Sequence, residues 1–351
     1  MGELLMKRSA VNWNVAQDDF TQTYFEQNKK QLWFPEEIPV SKDEKSWKLL
    51  SPEHKQIYKH VLGGLTLLDT EQGNVGMPRI MEYINVLQRK ALLSFMSMME
   101  NIHAQSYSRI FTTLLEKTEI DEVFDWVEEN EYLQYKANKI VGYYNDINDN
   151  RSLYKAMVAS VFLESFLFYS GFFFPLWLAG QGKMVASGEI INLIIRDESV
   201  HGVYIGLLAQ ELFATFDKEE QIELEKEVHE LLDDLMKNEF AYTEEIYAEA
   251  GLSSEVKQFL YYNANKALIN LGFEDKFEHE RVNAIVMNGL NVDTKTHDFF
   301  SVKGNGYQKN EVVHLTDNDF KFDIVDEFAS RVPYAHVPMT YTTDEIAEMK
   351  R

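Results

Sequence analysis

The stretch Ala159–Gly180, ASVFLESFLFYSGFFFPLWLAG, decides how the rest of the chain is read: twenty-two residues carry a single charge, Glu164. A bilayer span of this length would be interrupted by Glu164, Ser165, Ser170, Gly171 and Pro175, and an isolated acid inside a membrane is costly. A helix buried on every side by other helices accommodates the composition better. Pro175 then marks the end or a kink of that helix, and Ser170 with Gly171 offers a place for it to distort. Glu164 cannot be a passive passenger there, because a buried carboxylate must either take up a proton or find a cation.

Outward from this stretch, helical spacing dominates from about Pro52 to Phe273, with charged faces such as DKEEQIELEKEVHELLDDLMKNEF and no convincing strand alternation. The reading is one all-α domain over residues 1–299, followed by a tail over 300–351 with scattered aromatics. Breaks are expected at FPEEIPVSKD (34–43), NDINDNRS (145–152), AGQGKMVASG (179–188) and AGLSSE (250–255), where Ser, Asp, Asn and Gly supply turns and caps. The 351 residues include 45% hydrophobic and 13% aromatic residues, enough for a sizeable core. A formal charge of −23 argues against a surface that tracks nucleic-acid phosphates. The N-terminal MGELLMKRSAVNWN has no apolar core of signal-peptide length, so secretion is not expected. The chain has no cysteine, which excludes disulfides, thiolate metal sites and cysteine nucleophiles and fits a reducing cytoplasm.

Any metal must therefore be held by His, Asp or Glu. Residues three apart on a helix lie about 60° apart around its axis, so Glu-x-x-His brings both side chains to one ion. Glu100 with His103 and Glu198 with His201 have this spacing. The bare pattern is weak: with 57 acids and nine histidines, about 1.4 such pairs arise by chance. Glu311 and His314 show it too, in the Gly-flanked tail. Context separates the first two pairs from the third. Ile194, Asp197, Glu198 and His201 fall on one helical stripe, as do Met96, Glu100, His103 and Tyr107, so the acids occupy faces expected to be buried.

Two further isolated acids, Asp69 after GGLTLL and Glu164, complete an ordered series of acid, Glu-x-x-His, acid, Glu-x-x-His. Asp69 precedes Glu100 by 31 positions and Glu164 precedes Glu198 by 34, as two helical hairpins each giving half a site would. This is the ligand set of ferritin-like bundles with a dimetal carboxylate site, with Asp in place of one Glu. Oxygen-rich ligation with two imidazoles suits iron or manganese.

The sequence resembles the small, radical-bearing subunit of class Ib ribonucleotide reductase from about Ala10 to Phe322. The likeness is carried by AVNWN, GGLTLLDT, the Glu100 to Tyr107 segment, ASVFLESFLFYSGFFFPL, GQGKMVASGEIINLIIRDESVHG, NANKALINLG and HDFFSVKGNGYQK. The resemblance implies a ferritin-like fold, a dinuclear manganese or iron centre on Asp69, Glu100, His103, Glu164, Glu198 and His201, and a tyrosyl radical on Tyr107, four residues after the first histidine. It assigns Phe168, Phe172 and Ile194 to the radical's pocket. It implies a relay through His103, Asp197 and Trp33, then Tyr307 in the tail, to a separate large catalytic subunit that reduces ribonucleotides to deoxyribonucleotides. The lack of cysteine fits that division of labour, since the reduction needs thiols this chain cannot supply. A homodimer and a flavodoxin-like activator are further implications, with no membrane and no nucleic acid among the partners. The rival readings are a dimetal oxidase or hydroxylase with its own substrate, and iron storage in a ferritin-like shell. One departure stands out: family members often end soon after an acidic, Phe-containing segment like TDNDFKFDI, whereas 27 residues follow Ile324 here.

Overall fold

The structure, a computed structural model, describes residues 8–278 and 281–290. Every regular element among them is helical. In order these are α1 (Thr21–Gln31), α2 (Glu44–Leu49), α3 (Pro52–Glu71), α4 (Met77–Tyr83), α5 (Leu87–Leu114), α6 (Lys117–Glu129), α7 (Glu131–Asn145), α8 (Asn150–Phe162), α9 (Tyr169–Ala179), α10 (Val185–Phe213), α11 (Lys218–Tyr247), α12 (Ser253–Asn270) and α13 (Ala284–Leu290). The expected tail over 300–351, with Tyr307, Glu311 and His314, lies outside the described residues.

All four expected breaks separate helices. The first holds the 3-10 turns Pro35–Glu37 and Val40–Asp43, and the others fall between α7 and α8, α9 and α10, and α11 and α12. Further breaks, around 84–86, 115–116 and at Asn130, interrupt what reads as continuous helix. Two of these have polar caps. Asn130 accepts from the Leu133 amide at 2.9 Å, and the Glu116 amide donates to Glu119 at 3.2 Å, so first-turn donors are satisfied without glycine or proline.

The opening stretch is not one regular helix. α8 passes into a π-helical turn, Leu163–Leu167, and then into α9, so the distortion falls on Glu164 itself rather than at Ser170 and Gly171. Nor does Pro175 end the helix: it sits inside α9, which continues to Ala179. Packing overrides the local preference here. Phe162, Phe166, Phe168, Phe172, Phe173 and Phe174 are fully buried, and each contributes about 1.5–3 kcal/mol relative to an exposed ring. At Gly171 a Cβ would lie 2.7 Å from Leu65 Cγ, so the glycine lets α9 approach α3 closely.

Four helical segments, α3, α5, the continuous α8–α9 and α10, surround the interior: α3 packs on α5 and α9, and α10 packs on α8, α9 and α5. α6, α7, α11 and α12 cover this group, with α6 on α3, α7 on α8 and α12 on α9. The start of α10 is fixed from far away in sequence. Asp43 accepts from the Ala186 amide at 3.1 Å and from the Ser187 amide and hydroxyl, both at 2.7 Å, which satisfies the first-turn donors of α10.

Candidate metal centre

Six side chains meet in the middle of this bundle. Asp69 comes from the last turn of α3, Glu100 and His103 from α5, Glu164 from the π-helical turn and Glu198 and His201 from α10; all six are fully buried. In both Glu-x-x-His pairs the acid lies near its own histidine: Glu100 Oε2 is 3.4 Å from His103 Nδ1, and Glu198 Oε2 is 3.5 Å from His201 Nδ1. The cross-pairs are closer still. Glu198 Oε1 is 2.9 Å from His103 Nδ1 and Glu100 Oε1 is 2.7 Å from His201 Nδ1.

Glu100 and Glu198 therefore each turn one oxygen to each histidine. Asp69 joins the His103 side at 4.0 Å, and Glu164 joins the His201 side at 3.8 Å. The result is two four-residue clusters, Asp69–Glu100–His103–Glu198 and Glu100–Glu164–Glu198–His201, each with its ligand atoms within 4.8 Å of one another. Both oxygens of Asp69, Glu100 and Glu198, Oε2 of Glu164 and Nδ1 of both histidines make no hydrogen bond although fully buried. Buried polar atoms ordinarily find a partner, so so many donorless ones converging on two points fit a pair of cations. Carboxylate and imidazole donors favour manganese or iron.

Burial strongly raises the Asp69 and Glu164 pKa values, and for Asp69 the neighbouring Glu100 and Glu198 charges add to it against His103. Burial lowers both histidines, but the facing carboxylates, Glu198 for His103 and Glu100 for His201, outweigh it and hold the imidazoles well above their usual range. Glu198 is pushed the other way: burial raises it, but the adjacent Glu164 carboxyl and the two histidines outweigh burial and lower it below the ordinary carboxylate range. Protons shared among acids and imidazoles thus offset the crowding of four carboxyl groups.

Asp197, beside Glu198, faces inward. Its Oδ2 accepts from Trp33 Nε1 at 2.7 Å and lies 3.3 Å from His103 Nε2. With Nε2 directed at Asp197, Nδ1 is the His103 nitrogen turned to the acids and left to hold an ion. Tyr107 is fully buried with its hydroxyl unbonded; burial first, and the Asp69 charge next, hold its phenol well above its usual range. Phe168, Phe172 and Ile194 are also fully buried, with the two phenylalanine rings 5.8 Å apart. Sequence reasoning missed Arg196, which donates to the Gln31 carbonyl at 2.6 Å and ties α10 to the segment carrying Trp33. It also missed Gln72 and Tyr144, buried polar residues behind Glu164. A lone Gln three residues after Asp69 and ahead of two glycines was the available signal for Gln72.

Comparison with known proteins agrees with this geometry. Residues 10–284 match the family model of the ribonucleotide reductase small chain. The ribonucleoside-diphosphate reductase subunit beta of Bacillus subtilis is 57% identical over 317 residues, covering 90% of this chain and 96% of that protein. Subunit beta of ribonucleoside-diphosphate reductase 2 from Escherichia coli is 41% identical over 321 residues, covering 91% and 99%. Among solved structures, the dimanganese(II) form of NrdF from Streptococcus sanguinis superimposes with a TM-score of 0.79 at 44% identity, covering 81% of this chain and all of that one.

Proposed function

The chain belongs to the ribonucleotide reductase small-chain family, and from that premise we propose how its residues divide the work. It is the beta subunit of a ribonucleoside-diphosphate reductase, a ferritin-like protein with a dinuclear manganese or iron centre that serves a large catalytic subunit reducing ribonucleotides. Neither an oxidase with its own substrate nor an iron store accounts for this membership.

Asp69, Glu100, His103, Glu164, Glu198 and His201 would hold the two ions, and Glu100 and Glu198 each face both histidines. The observation that carries this reading is the convergence of their buried, donorless atoms on two points. A bound metal pair would supply a one-electron oxidant for Tyr107, whose phenol would give up an electron and its proton. Burial keeps the Tyr107 phenol protonated until then, and an interior that includes Phe168, Phe172 and Ile194 keeps water and reductants from the radical. The oxidising equivalent leaves through His103, Asp197 and Trp33, whose hydrogen-bonded contact supports the assignment. Tyr307 continues the route to the large subunit, and the segment over 300–351 docks there, distinct from the helical domain of 1–299. The protein works as a homodimer in the cytoplasm, and a flavodoxin-like flavoprotein furnishes the oxidant when manganese is bound.

Protein loaded with manganese and the flavoprotein, or with ferrous iron and oxygen, is expected to show a tyrosyl radical by electron paramagnetic resonance. Tyr107→Phe abolishes that signal with a stability change within about 1 kcal/mol, because the deleted hydroxyl makes no hydrogen bond. The same signal persisting in Tyr107→Phe overturns the assignment.

A further inference from the structure

Glu164 presents its two oxygens to different surroundings. Oε2 faces His201 Nδ1 at 3.8 Å and has no hydrogen-bond donor, whereas Oε1 accepts from the Gln72 amide at 2.5 Å. The other three acids of the centre, Asp69, Glu100 and Glu198, keep both oxygens without a donor. Glu164 is the member of the set with one oxygen already engaged.

Gln72 is fully buried and opens the π-helical turn Gln72–Gly76, just as Glu164 lies in the π-helical turn Leu163–Leu167. Such turns are rare, and they redirect side chains by inserting a residue into the helix. The Gln72 Nε2 also donates to Ser160 Oγ at 2.8 Å, and its Oε1 accepts from the buried Tyr144 hydroxyl at 2.6 Å. A carboxamide has one donor end and one acceptor end. The Tyr144 proton fixes which end is which; a flipped amide would set Oε1 against a carboxylate oxygen. Gly76 provides the room, since a Cβ there would collide with Gln72 Oε1 and come within 2.7 Å of the Tyr144 ring.

We propose that Gln72, locked in orientation by Tyr144, is a positioning residue of the metal centre: it reserves Oε1 of Glu164, so that only Oε2 faces the ion beside His201. This rests on Glu164 being a ligand. An oxygen that already accepts a short hydrogen bond is a weaker metal donor, so Gln72 biases Glu164 towards binding through Oε2 alone, which would leave the ion beside His201 one more open coordination position than chelation would. The two sides of the centre then differ. On the His103 side, Asp69 is free to use either oxygen; on the His201 side, Glu164 is not.

The test compares the full-length protein with Gln72→Met, which keeps the side-chain length and removes both ends of the amide, and with Tyr144→Phe, which removes only the lock. Each is titrated with manganese(II), free ion being followed by electron paramagnetic resonance, and the loaded proteins are crystallised to see which Glu164 oxygens reach the metal. The unaltered protein is expected to bind two ions per chain with Glu164 attached through one oxygen. Gln72→Met still binds two, but Glu164 chelates through both oxygens and the affinity of the site beside His201 changes by about tenfold, the scale typical of altered outer-sphere hydrogen bonds. Tyr144→Phe shifts in the same direction by less. Chelation by Glu164 in the unaltered protein, or unchanged affinity and ligation in Gln72→Met, overturns the proposal. Should Gln72→Met fail to fold, unchanged ligation and affinity in Tyr144→Phe overturn the lock. Failure of the unaltered protein to bind two ions overturns the metal-centre reading itself; two ions bound through Glu164 with both variants indifferent overturn this inference alone.

Discussion

Trp33 and Asp197, 164 positions apart, are joined by a 2.7 Å hydrogen bond from the indole Nε1 to Oδ2, the oxygen that also lies 3.3 Å from His103 Nε2. The indole and the imidazole run nearly parallel, 20° apart in plane with centroids 6.2 Å apart. A residue near the N-terminus is thereby connected to the metal centre through a single carboxylate.

Trp33→Phe keeps an aromatic ring in place and removes the donor. Asp197, buried, then loses a strong hydrogen bond, and the fold is expected to weaken by about 1–3 kcal/mol. The Tyr107 radical should still form at ordinary yield, while deoxyribonucleotide production with the large subunit falls to background. Radical content by electron paramagnetic resonance and turnover on the same sample check this. Full turnover in the variant would remove Trp33 from the route.

Glu100 faces both histidines and Asp69 only His103, so their alanine variants should differ. Glu100→Ala is expected to lose both ions, and Asp69→Ala chiefly the one beside His103, as counted by metal analysis. In the unaltered protein, manganese at one hundred times its dissociation constant should stabilise the fold by about 2.7 kcal/mol per site. Asp69 and Glu164 hold protons above the ordinary carboxylate range and must release them to ligate, so metal affinity should rise with pH. Calorimetry in buffers of different ionisation enthalpy would detect that proton release.

His60 lies flat on Trp126, ring centroids 3.8 Å apart and planes 2° apart. Burial, helped by the Lys59 charge, lowers its pKa to about 4 from 6.5. The unfolded chain takes up this proton first as pH falls, so the contribution is present above pH 6.5 and lost as pH falls from there to about 4. The loss amounts to at most about 3 kcal/mol. Denaturant midpoints across that window should fall less steeply in His60→Gln; an unaltered slope would show that His60 does not set the acid limb.

Much of the centre was legible because ligand chemistry is written in helical period. Glu164, alone in ASVFLESFLFYSGFFFPLWLAG, had to be buried and had to find a cation or a proton, and Glu-x-x-His placed Glu100 with His103 and Glu198 with His201 on inward stripes. What stayed hidden depended on preferences the local rules misjudge. Pro175 reads as the end or a kink of the helix, and α9 does not end there but runs on to Ala179, because its buried aromatics outweigh one lost backbone bond. The π-helical turns at Gln72–Gly76 and Leu163–Leu167 leave no periodic signature.

The sequence by itself determined which side chains must leave water: the period of 3.6 residues selects the inward face of each helix, and apolar neighbours make a charge on that face untenable alone. Only the tertiary structure decided how those side chains share their oxygens. That Glu100 and Glu198 each reach both histidines, that Asp197 stands between Trp33 and His103, and that Gln72 takes one oxygen of Glu164 all depend on the rotation and offset of separate helices. Those offsets are set by packing between helices distant in the chain, at the scale of an ångström, which no local spacing encodes.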